Sequence, residues 1–229
     1  VFGDVKDSVE ISGSHVRLDI SDSSADVKGR TKVGGLIGYV SGGVKYAVNI
    51  TCCSAIGNIC CIGNNSEERY TGGLIGYATC GSNSVDSVII SQCFTNGTVY
   101  SQQGYAGGLV GDMGACYIKN CYSKSEVSGL CYLGGLVGYM AVSNIEFSYA
   151  AGSIYGNYNW GGLVGNVDGS PPSFSSLHST NNGTNYGVRV DDLKSDIYYT
   201  SCGWTFDTIW LIDSGINGGY PYLKNNPPQ

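Results

Sequence analysis

Gly34-Gly35-Leu36-Ile37-Gly38 decides how this chain is read, because the same five-residue block returns four more times. It recurs as Gly72-Gly-Leu-Ile-Gly76, Gly107-Gly-Leu-Val-Gly111, Gly134-Gly-Leu-Val-Gly138 and Gly161-Gly-Leu-Val-Gly165. The starts at 34, 72, 107, 134 and 161 give spacings of 38, 35, 27 and 27 residues. A block at such a period marks a repeat architecture. Downstream of the first four blocks lies an aliphatic pair nine residues apart: Ile50/Ile59, Ile90/Val99, Ile118/Val127 and Ile145/Ile154. A small side chain follows the first aliphatic by three places: Cys53, Cys93, Cys121 and Ser148.

A 27-residue unit with three apolar segments accommodates three short strands and three turns, one coil of a β-solenoid. The expected fold is therefore all-β: a right-handed parallel β-solenoid of about six coils with a C-terminal aromatic cap. Stacked coils lie about 4.8 Å apart, so equivalent residues form columns. Gly-Gly permits a turn at a coil corner, the Leu of each block stacks inward, and the last Gly leaves room in a narrow core. Strand alternation predicts that the Leu and the next aliphatic face opposite sides.

Residues 1–33 form an N-terminal coil without the block, 34–185 the repeat coils, 186–224 the cap and 225–229 the start of a linker. The longer first units carry their extra residues in polar or Cys-rich stretches at 41–45, 62–69 and 81–86, expected as projecting loops. The cap is read from the aromatic run Trp204, Phe206, Trp210, Tyr220 and Tyr222.

The block with its following apolar strand and Cys/Tyr/Ser stretch resembles the GLUG motif. The run from Gly203 to Ile212 together with Gly219-Tyr-Pro-Tyr-Leu223 resembles the tail that closes many such arrays. The resemblance covers 34–223. It implies a part of a large secreted or surface-attached protein, such as an adhesin or the non-catalytic region of an immunoglobulin A metallopeptidase, and it implies no catalytic residues. The ten cysteines depart from the bacterial pattern.

Composition agrees with an extracellular placement. Glycine is 36 of 229 residues without a Gly-X-Y period, which excludes collagen. Charged residues are only 13% and the net charge is −6, which argues against nucleic acid as partner. No apolar run is long enough to span a membrane. The even set of Cys52, Cys53, Cys60, Cys61, Cys80, Cys93, Cys116, Cys121, Cys131 and Cys202 points to disulfides between neighbouring coils, Cys80–Cys116 first, then Cys53–Cys93 or Cys93–Cys121. The sequons at Asn49, Asn64, Asn96 and Asn182 are candidate glycan acceptors.

Catalytic patterns are missing from the sequence: His-Glu-x-x-His, Gly-x-Ser-x-Gly and the Gly-Gly-x-Gly-x-Asp calcium nonapeptide do not occur. His15 and His178 sit among small polar residues. Asp112, Asp168, Asp191 and Asp192 make no acidic column of the kind a polysaccharide lyase or hydrolase needs. No cofactor is implied. The expectation is a non-enzymatic extracellular module (a stalk, adhesin segment or surface-filament subunit). Its partners are protein or glycan surfaces, or a second copy joined head to tail at the N-terminal coil. A carbohydrate-active β-helix enzyme is the rival. Tyr39, Tyr77 and Tyr139, each directly after a block, are the candidate binding face.

Overall fold

The structure is a computed structural model that describes residues 2–6, 9–12, 15–17, 27–42, 48–62, 69–80, 88–168, 174–179, 188–189 and 194–228. The expected loops at 43–45, 63–68 and 81–86, most of the segment 169–193 with Asp191 and Asp192, and the side chains of His15 and His178 lie outside what is described.

Strands pair almost entirely in parallel, consistent with a solenoid-like fold. One sheet stacks six of them: Phe2–Lys6, Ile37–Gly42, Ile75–Cys80, Val110–Gly114, Val137–Ala141 and Val164–Asp168. A second, 17-stranded sheet carries the rest of the repeat. Register follows the repeat. Ile37, Ile75, Val110, Val137 and Val164 form one column, and Ile50, Ile90, Ile118 and Ile145 a second. Ile59, Val99, Val127 and Ile154 form the third. The first two columns lie in the main core, where each buried aliphatic side chain contributes about 1.5–3 kcal/mol. Strands of residues 2–29 pair onto the first block-bearing unit.

The block is a corner, and this corrects the alternation expectation. Leu and the following aliphatic are both buried in all five copies. Gly35–Leu36 is a bend, and the amides of Leu36 and Ile37 both donate to the Leu74 carbonyl. Leu74 and Ile75 do the same to Leu109, and the pattern repeats through Leu163. Alternation holds along an extended strand; the bend rotates the chain between the two residues and turns both inward.

The glycines are required by backbone rather than by core volume. A Cβ on Gly72 would fall on the carbonyl of Ile75, across the bend. On Gly138 it would lie 2.5 Å from the Gly111 carbonyl oxygen and 2.7 Å from the Ala106 nitrogen. The last glycine thus lets the strand after one block lie against the strand before another, instead of clearing space beside Leu.

A second corner explains the cysteines. Cys52, Gln92, Asn120 and Phe147 occupy equivalent places with φ of 52°, 51°, 53° and 45°. The next residue is Cys53, Cys93, Cys121 or Ser148. Ser148 Oγ donates to the Glu146 carbonyl at 2.7 Å and accepts from the Cys121 amide at 3.1 Å. Cys121, Cys93 and Cys53 donate to the carbonyls of Lys119, Ser91 and Thr51 in the same way, and the Cys53 amide donates to Cys93 Sγ at 3.4 Å. Cys116 and Ser143 repeat the arrangement one corner away.

Cysteine therefore does the work of serine here: a small side chain that stitches one turn to the next. This corrects the disulfide expectation, since all ten cysteines remain thiols. Side chains stacked in a parallel column keep their Cβ atoms about 4.8 Å apart, whereas a disulfide needs about 3.8 Å. Burial pushes the Cys93 and Cys116 thiols well above the usual range, and Cys80 close to Cys116 adds to the second shift. Such thiols are chemically quiet.

The C-terminal segment packs on the flank. Phe94, Tyr122 and Tyr149 stack at 5.0 and 5.1 Å in one buried column, and Trp210 lies against the last two. Trp204 and Tyr199 complete this second core. Tyr149 donates its hydroxyl to the Pro221 carbonyl at 2.6 Å, and Trp210 Nε1 donates to Asn120 at 3.4 Å. Asn226, expected in a linker, is buried and donates to the carbonyls of Cys53 and Gln92 at 2.9 and 3.0 Å. The aromatic run thus straps several successive turns together side-on, where an end cover was expected. Its aromatic side chains face a ready-made aromatic column, and that decides where it lies.

Candidate functional site

The repeat corner places two residue columns side by side. One holds the residue after each block: Tyr39, Tyr77, Asp112, Tyr139 and Asn166, in continuous register. The other holds the residue two places before each block: Lys32, Tyr70, Tyr105, Tyr132 and Asn159, the first three in direct register. The two members of each row are seven residues apart in sequence. The bend folds one over the other, and the glycines permit the close backbone approach.

The rings interlock. Tyr39 stacks on Tyr77 at 5.5 Å, Tyr77 on Tyr70 at 4.7 Å and Tyr70 on Tyr105 at 5.4 Å. Tyr105 then meets Tyr132 at 4.9 Å and Tyr139 at 5.0 Å, both tilted. Lys32 closes one end, with Nζ 4.2 Å from the Tyr39 ring and 5.3 Å from Tyr77. Such ring pairs are worth about 0.5–1.5 kcal/mol each beyond their buried area. Asp112 replaces a tyrosine in the third row and is buried.

The electrostatics keep the Tyr77 and Tyr139 phenols protonated. Burial raises the Tyr77 pKa, with Asp112, Tyr39 and Cys116 adding to it and a hydrogen bond with Thr79 opposing. Burial followed by a hydrogen bond with Asp168 pushes Tyr139 up to about 12. These groups serve as hydrogen-bond donors near neutral pH, not as bases or nucleophiles. Among the described residues, no three His, Cys, Asp or Glu side chains converge on a metal position.

The structure brings Tyr39, Tyr77 and Tyr139 into one column. Sequence reading missed Lys32, Tyr70, Tyr105 and Tyr132, although their fixed place two residues before the block was a signal that could have found them. In the structure the ring faces rest on one another, so an incoming ligand meets edges and hydroxyls. Of the sequons, Asn49 is half-buried and Asn96 is exposed; Asn64 and Asn182 lie outside the described residues. Cys52, Cys60, Cys80, Cys131 and Cys202 are half-buried.

A solved structure similar in fold was found. It is the crystal structure of a candidate immunoglobulin A1 protease from Bacteroides ovatus, aligned over 94% of this chain with a TM-score of 0.59 and 19% identity. At that identity the likeness is one of fold alone. This chain spans 57% of that protein's length. No family model and no curated protein matches the chain. Among the described residues no helix is long and apolar enough to cross a membrane.

Proposed function

We propose that this chain is a non-enzymatic structural and adhesive module of an extracellular protein, a GLUG-type right-handed solenoid of about six coils serving as a stalk, adhesin segment or filament subunit. The observation that carries this reading is the interlocked tyrosine column: its rings are stacked on one another, the Tyr77 and Tyr139 phenols are held protonated, and Lys32 closes its end. That arrangement stiffens a scaffold and gives it a uniform polar edge. The likeness to a longer candidate protease supports a second form of the same reading, in which the repeats belong to the non-catalytic region of a secreted peptidase.

The rival enzyme reading would use Asp112 and Asp168. Asp112 is buried among tyrosines and Asp168 bonds Tyr139, so both acids are engaged in the column. Extracellular placement rests on the repeat resemblance and on that neighbour, because the thiols no longer argue for an oxidising compartment. Two measurements test the proposal. Turnover of a polysaccharide by the purified chain, abolished in Asp112→Asn or Asp168→Asn, would overturn the non-enzymatic role. Failure of an impermeant biotin reagent to label the protein on intact cells, with no protein in the culture medium, would overturn the placement.

A further inference from the structure

The buried aromatic column supplies its own ruler for a vacancy elsewhere. Phe94, Tyr122 and Tyr149 occupy three successive rungs, with the middle ring 5.0 and 5.1 Å from its neighbours. On the outer face of the same sheet, Tyr100, Ser128 and Tyr155 occupy three successive rungs of another column. Here the middle rung carries serine. The two tyrosines are 40% and 58% exposed, and among the described residues neither ring stacks on another. Two rungs put their Cα atoms about 9.6 Å apart, twice the rung spacing and room for one ring-shaped group at about stacking distance from both.

The surroundings state what that group is. Ser128 sets a hydroxyl at the floor. Glu126, two residues along the same face, is exposed. Thr98 is in register with Glu126, and its hydroxyl donates to Asn58 at 2.7 Å. Leu130 and Tyr158, 38% and 65% exposed, extend the apolar surface beyond the slot. A flat ring with apolar faces and a hydroxylated edge suits this combination: the faces meet tyrosine, the edge meets Ser128 and the Glu126 carboxylate. An aromatic side chain would leave those polar groups unused, and an acidic sugar would be repelled by Glu126.

We propose that the slot over Ser128, between Tyr100 and Tyr155, binds one neutral pyranose unit of a polysaccharide. This site is separate from the corner column and does not depend on the structural reading.

The experiment is affinity electrophoresis of the whole chain in native gels containing mixed-linkage β-glucan, galactomannan, xylan or polygalacturonate. The expected result is retardation by at least one of the three neutral polymers and none by polygalacturonate. Tyr100→Ala and Tyr155→Ala each weaken it at least tenfold. Ser128→Tyr completes the aromatic column, abolishes retardation and leaves the circular dichroism spectrum and Tm at or above those of the parent. Ile197→Ala, an exposed residue of the C-terminal strap outside both sites, leaves retardation unchanged. No retardation by any neutral polymer, retardation by polygalacturonate alone, or a folded Ser128→Tyr variant that binds as the parent does would each overturn the assignment. Loss of binding in Tyr39→Ala, in the corner column, with Tyr100→Ala intact would overturn it as well.

Discussion

Ser148→Ala isolates the stitch at the second corner. Ser148 is fully buried, and its hydroxyl accepts from the Cys121 amide at 3.1 Å while donating to the Glu146 carbonyl at 2.7 Å. Removing it leaves the buried Cys121 amide without that acceptor, at about 1–3 kcal/mol, and costs the carbonyl one of its bonds, about 0.5–1.5 kcal/mol. The Glu146 carbonyl keeps the Asn120 amide at 3.1 Å, which holds its share to the low end. The expected loss is about 1.5–3.5 kcal/mol. Ser148→Cys should recover most of it, because Cys93 already accepts the equivalent amide through sulfur at 3.4 Å. The assay is urea unfolding followed by tryptophan fluorescence, comparing midpoints at unchanged m-value. A Ser148→Ala variant within 0.5 kcal/mol of the parent (about a third of the smallest expected effect), or a Ser148→Cys variant as weak as the alanine, would refute the stitch.

Three more outcomes follow from the packing. Gly138→Ala places a Cβ against the Gly111 carbonyl and Ala106 nitrogen, and backbone does not yield as a side-chain end does; destabilisation of at least about 3 kcal/mol is expected in the same urea assay. Tyr139 has a folded pKa of about 12, above its unfolded value near 10, so its contribution is complete below about pH 10 and is lost as pH rises through about 12. Buried Tyr122 and Tyr149 are shifted in the same direction. Thermal melts should therefore show Tm falling across that window, and a flat profile would contradict it. Asn226→Asp sets a carboxylate against the Cys53 and Gln92 carbonyls, so hydrogen exchange should speed up in the strap before it does in the repeat columns; unchanged protection of residues 222–226 would count against the flank docking.

Much of the repeat could be read because its signals are periodic. The aliphatic pairs nine residues apart are columns in the structure, since a parallel stack turns sequence period directly into register. What failed were inferences that treated each residue as if it lay on an extended strand or acted alone. Leu36 and Ile37 share a burial side because the block bends. Cys93 and Cys121 carry a hydrogen-bonding role that composition cannot distinguish from bridging. Tyr39 and Tyr77 were legible as a column, but Tyr70 and Tyr105 required seeing that the bend folds position −2 onto position +1. The lateral strap depended on the buried Phe94–Tyr122–Tyr149 column, whose three members are separated by 28 and 27 residues and resemble ordinary strand aromatics until they are stacked.

The 27-residue unit advances the stack by only one rung, about 4.8 Å, whereas the same residues would reach about 40 Å as an α-helix and about 90 Å fully extended. This architecture converts chain into flank rather than length. Adding or deleting a whole unit preserves the corner, the stitch and every register, and changes only how many copies of each surface position are displayed. Repeat number in such a molecule therefore sets valency, not span: each added unit contributes one more rung to every column and one more place for a ring to be present or left out.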